Sequence, residues 1–128
     1  MSFQWARYLD LARELAGKPV TVEGQEAKLR SSISRAYYAA FHKAREHLLT
    51  VDRFPSQNLN EHEYVKNWFL QRQTPLTQRI GADLDRLRLD RNWADYRDEW
   101  RGGIGSLRKT TEQALIMAER IIQNLQRL

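Results

Sequence analysis

The sequence predicts an all-α protein, an up-and-down bundle of four to five helices, and three observations carry that prediction. Apolar residues recur at i, i+3, i+4 through most of the chain, the spacing of one helix face. Glycine and proline punctuate that pattern, with prolines at 19, 55 and 75 and glycines at 17, 24, 81, 102, 103 and 105. No segment alternates apolar and polar residues with the period of two that a half-buried strand needs. The two short runs that tempt, Pro19–Val22 and Leu48–Val51, have no partner. At 128 residues the chain reads as one domain, 1–128, and its short connections favour antiparallel neighbours.

The first helix is expected from about Phe3 to Ala16, with Trp5, Tyr8, Leu9, Leu11, Ala12 and Leu15 facing inward. Gly17 fits a left-handed C-terminal cap, and Pro19 follows as a stop. The second and longest helix runs from about Gly24 to Val51. Its inward stripe is Leu29, Ile33, Ala36, Tyr37, Ala40, Phe41, Ala44 and Leu48, and the alanines let a neighbouring helix come close.

Residues 52–60 (DRFPSQNLN) are a polar loop. Asn60 followed by Glu63 resembles a capping box and opens a short helix to about Gln71, with Tyr64, Val65, Trp68 and Phe69 apolar. Thr74-Pro75 reads as an N-cap and a first-turn proline. The next helix carries Leu76, Ile80, Leu84 and Leu87, and either continues or breaks within RLDRNWADYRDEW. After the glycines at 102, 103 and 105, read as a hinge, the last helix spans about Ile104 to Leu128. Its stripe is Leu107, Ala114, Leu115, Ala118, Ile121, Ile122, Leu125 and Leu128.

Composition narrows the chemistry. Cysteine is absent, which excludes disulfides, thiolate metal sites and cysteine nucleophiles and fits a cytoplasmic protein. The opening MSFQWARYLDLARELA carries acid and arginine in its first turns, unlike a signal peptide, and no apolar run approaches the ~20 residues of a membrane span. The three histidines, His42, His47 and His62, form no metal-binding spacing. His42 and His47 stand about 140° apart on a helix. No phosphate-cradling glycine loop is present, so no cofactor and no metal are expected.

Charge points further. Lys and Arg number 21 against 16 acids, a net charge of +5, and 16 of the cations are arginine. Guanidinium forks match phosphates and stack on flat rings, so either a phosphate-bearing partner or simply a mixed solvated surface is implied. Two stretches refine this. Within RSSISRAYYAAFHKAREHL, residues 30–48, Arg35, Tyr38, His42 and Arg45 fall at i, i+3, i+7, i+10 on one stripe. They suit a phosphate and a stacked base, or else a solvated polar face. Within LRLDRNWADYRDE, residues 87–99, Arg91 shares a stripe with Leu84, Leu87 and Ala94 if the helix continues. A guanidinium there must find acceptors or line a cleft. Asp95, four residues on, is a structural partner for it, while Asn92 and Tyr96 add polar groups to a cleft.

The strings AKLRSSISRAYYAAFHKAREHLL and LDRLRLDRNWADYRDE, with HEYVKNWF between them, resemble the HEPN domain superfamily, and most closely its small UPF0332 family. The resemblance covers about residues 8 to 125. It implies an all-α bundle that dimerises, with a cleft at the two-fold axis. Many such proteins are metal-independent ribonucleases with an Arg-x(4–6)-His motif. Others are partners of minimal nucleotidyltransferases in toxin–antitoxin pairs, or non-catalytic nucleotide- or RNA-binding modules. Arg91 and Asn92 match the opening of the motif. The chain then reads Arg-x4-Tyr, with Tyr96 where an imidazole is expected, and a phenol of pKa about 10 is a poor general base.

Three readings follow. The first is a dimeric module whose cleft (Arg91, Asn92, Asp95 and Tyr96, with Arg35, Tyr38 and His42 nearby) binds a nucleotide or RNA phosphate, with a nucleotidyltransferase as partner protein. The second is a ribonuclease toxin, which needs His42 or His62 from another helix to move protons near Arg91. The third is a purely structural interaction bundle held by the Arg91–Asp95 pair.

Overall fold

The computed structural model describes residues 3–17, 22–52 and 60–128, and all its regular structure is helical among them. The five helices are α1 (Arg7–Gly17), α2 (Val22–Val51), α3 (Glu61–Gln71), α4 (Pro75–Tyr96) and α5 (Gly103–Gln126). The all-α bundle is therefore what this sequence builds. Pro19 and residues 53–59 lie outside the described residues, while Leu48–Val51 is the last turn of α2 and no strand.

Helix α2 is the axis of the bundle and packs against each of the other four. Every member of its predicted stripe, from Leu29 to Leu48, is buried. Ala36, Ala39, Ala40 and Ala44 are fully enclosed, so the helix has small contact surfaces on several sides at once. Large side chains such as Tyr37, Phe41 and Ile33 fill the space between them. Each fully buried large apolar side chain contributes about 1.5–3 kcal/mol.

The predicted caps form. The Asn60 side chain accepts the Glu63 backbone N–H at 3.3 Å, and Thr74 Oγ1 accepts that of Thr77 at 3.1 Å with Pro75 in the first turn. Each satisfies a backbone donor that the helix start leaves without a partner. Helix α4 continues without interruption through Arg91 to Tyr96. Its turn into α5 is built at Gly102 and Gly103, with φ of 89° and 75°, a left-handed region that favours glycine. Arg30 of α2 closes the C-terminus of α4, donating to the carbonyls of Ala94 at 3.1 Å and Arg97 at 2.5 Å. Gly81 lets α4 meet α3, since a Cβ there would stand 2.6 Å from Leu70 Cγ.

Three expectations are corrected. Helix α1 begins at Arg7 rather than Phe3, because residues 4–9 are joined by tight turn bonds such as Arg7 N–H to Gln4 C=O at 2.9 Å. Leu11 is exposed, lying about 200° round from buried Leu9, and Leu128 is exposed beyond the end of α5. Gly17 ends α1 without a positive φ, so it is no left-handed cap.

Candidate functional site

The continuity of α4 decides where Arg91 points. Leu84, Leu87, Arg91 and Ala94 share its inner stripe and all are buried, Arg91 at 8% exposure. Burial of a guanidinium is costly unless its donors are matched, and here the match is incomplete. Nη1 donates to the Tyr38 hydroxyl at 3.3 Å and stands 3.6 Å from Asp95 Oδ2. Nε is buried with no partner among the described residues. The cation instead faces two rings, with Cζ 5.3 Å from the Tyr37 centroid and 5.4 Å from that of Tyr38, contacts that offset part of the desolvation.

One turn earlier on α4, Arg88 repeats the pattern. Its Nη1 donates to Glu63 at 3.2 Å, and its Nε is likewise buried without a partner. Between the two arginines and α2 sits His62, near the start of α3. Its Nδ1 is hydrogen-bonded to the Tyr37 hydroxyl at 2.5 Å, and its ring stacks on Phe41 with centroids 4.2 Å apart. Burial first, then the charges of Arg88 and Arg91, push the His62 pKa down to about 4. The imidazole is therefore neutral near pH 7. Burial also pushes the Tyr37 phenol well above its ordinary value, so it stays protonated.

The carboxylate beside Arg91 is held in turn. Ser34 Oγ donates to Asp95 Oδ2 at 3.2 Å, and Arg35 Nη2 donates to Ser34 Oγ at 3.4 Å. Arg35 lies between two rings, 4.9 Å from the Tyr8 centroid and 5.3 Å from that of Tyr38. The structure thus brings Arg91, Asp95, Tyr38 and Arg35 into one contiguous set. His42 stands at its margin, 6.1 Å from Tyr38 between centroids, with its face covered by Trp5 at 3.6 Å. Burial, and then Arg45, hold its pKa below the ordinary value. Arg45, on the same predicted stripe, donates to Glu61 at 3.1 Å. Asn92 is partly buried. Tyr96 is not drawn in, since it is 75% exposed in the last turn of α4.

Four contributors escaped the sequence reading: Arg88, Ser34, the Tyr37 hydroxyl, and the ring cover from Trp5 and Tyr8. Arg88 had a signal, being three residues before Arg91 and hence on the same face. The others depend on contacts between helices.

Fold and site together define a five-helix bundle in which two incompletely partnered arginines of α4 face phenols of α2 and His62 of α3. The chain matches no protein-family model, no curated protein and no solved structure. Among the described residues no three His, Asp or Glu side chains gather as a metal site. No helix among the described residues is long and apolar enough to cross a membrane.

Proposed function

We propose that this chain is a small HEPN-like binding module that takes a nucleotide or RNA phosphate at Arg91. The observation that carries the reading is the state of the Arg91 guanidinium, buried at 8% exposure with Nε unpartnered and its carboxylate no closer than 3.6 Å. A purely structural arginine would reward closer, bidentate pairing. Arg88, one turn away and paired with Glu63 at 3.2 Å, also keeps a buried Nε without a partner and adds a second positive charge nearby. An anionic phosphate entering past the partly exposed Tyr38 and Asp95 would supply the missing acceptors. In keeping with the resemblance, two copies form the cleft between them, and a minimal nucleotidyltransferase is the partner protein.

One observation favours a second reading, a metal-independent ribonuclease. His62 is neutral near pH 7 and reaches the Arg91 neighbourhood through Tyr37. In that reading His62 takes the proton of the 2′-hydroxyl as its oxygen bonds to phosphorus, the P–O5′ bond breaks to leave a 2′,3′-cyclic phosphate, the proton passes to the departing 5′-oxygen, and Arg91 stabilises the charge on the phosphoryl oxygens.

The test is wild type against Arg91→Ala with labelled single-stranded RNA and no added metal, scoring binding and cleavage together. The expected result is binding without cleavage, lost in the variant at unchanged helicity. Cleavage that disappears in Arg91→Ala establishes the ribonuclease. If wild type neither binds nor cleaves, the reading fails and the chain acts through a protein partner alone.

A further inference from the structure

Next to the arginine cluster, residues 3–8 lay three aromatic rings against the face of α2. Phe3 and Trp5 meet edge to face with centroids 4.8 Å apart, and both contact Tyr8, at 5.3 and 5.6 Å. Trp5 stacks flat on His42, while Phe3 stays half exposed at 50%. An aromatic side chain normally buries a large apolar area. Here a run of rings ends instead in a half-exposed phenyl group, one ring removed from Arg35, whose guanidinium lies 4.9 Å from the Tyr8 centroid.

The order of groups matters more than their number. Arg91 touches the Tyr38 ring, Tyr38 carries Arg35 on its face, and Arg35 also covers Tyr8. Tyr8 then contacts Phe3 and Trp5. Cation, ring, cation and rings thus follow one another across α4, α2, the first turn of α1 and the segment before it. That alternation is the chemistry by which unpaired nucleic acid is held, cations tracking phosphates while bases stack on aromatic faces. A duplex offers the same phosphates but keeps its bases stacked on each other, so it can use only the arginines.

We infer that Phe3 and Trp5, with the adjoining Tyr8 and Arg35, form a base-stacking subsite that selects single-stranded RNA over duplex RNA. This rests on the proposal that Arg91 binds a nucleic-acid phosphate and names the form of the ligand. Phe3 supplies the open face, and Trp5, held on His42, fixes its orientation.

Binding is measured by fluorescence anisotropy with a labelled oligouridylate and with the matching A·U duplex, using wild type, Phe3→Ala, Phe3→Trp and Arg91→Ala. Wild type should bind the single strand at least tenfold more tightly than the duplex. Phe3→Ala should weaken single-strand binding about tenfold, as expected for loss of one stacked base, and leave duplex binding unchanged. Phe3→Trp should restore the affinity, with its indole emission quenched on binding. Because Phe3 is half exposed, the alanine variant keeps the fold, and an unaltered melting temperature checks this. Equal affinity for single strand and duplex, or Phe3→Ala binding like wild type, overturns the stacking subsite. If Arg91→Ala still loses binding in that case, the phosphate site stands. No binding of either RNA by wild type overturns both.

Discussion

Two arginine–aspartate pairs take their members at Asp83 and Arg91 from α4, about two turns apart, and they are built to opposite standards. At the junction with α5, Arg120 donates from Nε and Nη2 to the two oxygens of Asp83, both at 2.8 Å. Asp83 is 5% exposed, and Arg79 adds a second cation at 3.5 Å. That fork is fully used, a geometry that locks two helices in register. At the junction with α2 the arginine is the buried member, and Arg91 meets a phenol at 3.3 Å and a carboxylate at 3.6 Å, with one donor unmatched. The first pair finishes its chemistry inside the fold, and the second leaves it open. The two arginines, Arg120 on α5 and Arg91 on α4, thus differ in how completely their donors are used within the fold.

Breaking the finished pair should have the largest effect. Arg120→Ala leaves the Asp83 carboxylate buried with only Arg79 beside it, which costs about 3 kcal/mol. For a domain of this size that lowers the melting temperature by about 10 °C, read by thermal unfolding. A loss below about 1 kcal/mol would mean that the fork contributes little and that the contrast with Arg91 is empty.

Acid should act on the open region next. The His62 pKa is about 4 in the fold against 6.5 when unfolded. Between those values the unfolded chain binds the extra proton, so stability is intact above pH 6.5 and falls as pH drops toward 4. Burial sets most of this shift, and the charged and titratable groups around the ring come from three helices: Arg88 and Arg91 on α4, Glu61 on α3 and His42 on α2. His62→Gln keeps an acceptor for the Tyr37 hydroxyl and removes the titration. Melting temperatures measured between pH 7 and 4 should therefore fall less for His62→Gln than for wild type, and parallel curves would refute the assignment.

The smallest effect on stability should come at Arg91 itself. Arg91→Met retains the length and apolar bulk of the side chain and removes an incompletely matched buried cation. Asp95, with its side chain 29% exposed, is left in contact with solvent and with Ser34. Removing one partner is costly when it leaves a buried charge unpaired, and Asp95 is not so left, so the change should lie within about 1 kcal/mol.

Much of the fold was legible because it is written locally. Asn60 and Thr74 cap within three residues of themselves, and the buried stripe from Leu29 to Leu48 needs only the helical period. The site was legible in part for the same reason. Arg91, Asp95, Arg35 and Tyr38 are found by counting along two helices. Tyr37 was read only as core, which its 1% exposure bears out, but its hydroxyl meets a histidine 25 residues away. The stripe at Arg35 and His42 was read as open, whereas Tyr8 and Trp5 lie over those residues. Neither contact has a sequence period, because each depends on how two segments cross. Leu11 fails in the opposite direction, since α1 is apolar over a wider arc than its neighbours cover.

The most direct measurement is the affinity of Arg91→Met for labelled oligouridylate, set beside its melting temperature and those of wild type. A melting temperature within about 3 °C of wild type, on the scale of 1 kcal/mol, and at least a tenfold loss of binding are expected. A variant that binds as wild type does would contradict a binding role for Arg91. So would one that melts as far below wild type as Arg120→Ala, because Arg91 would then be a second structural clamp.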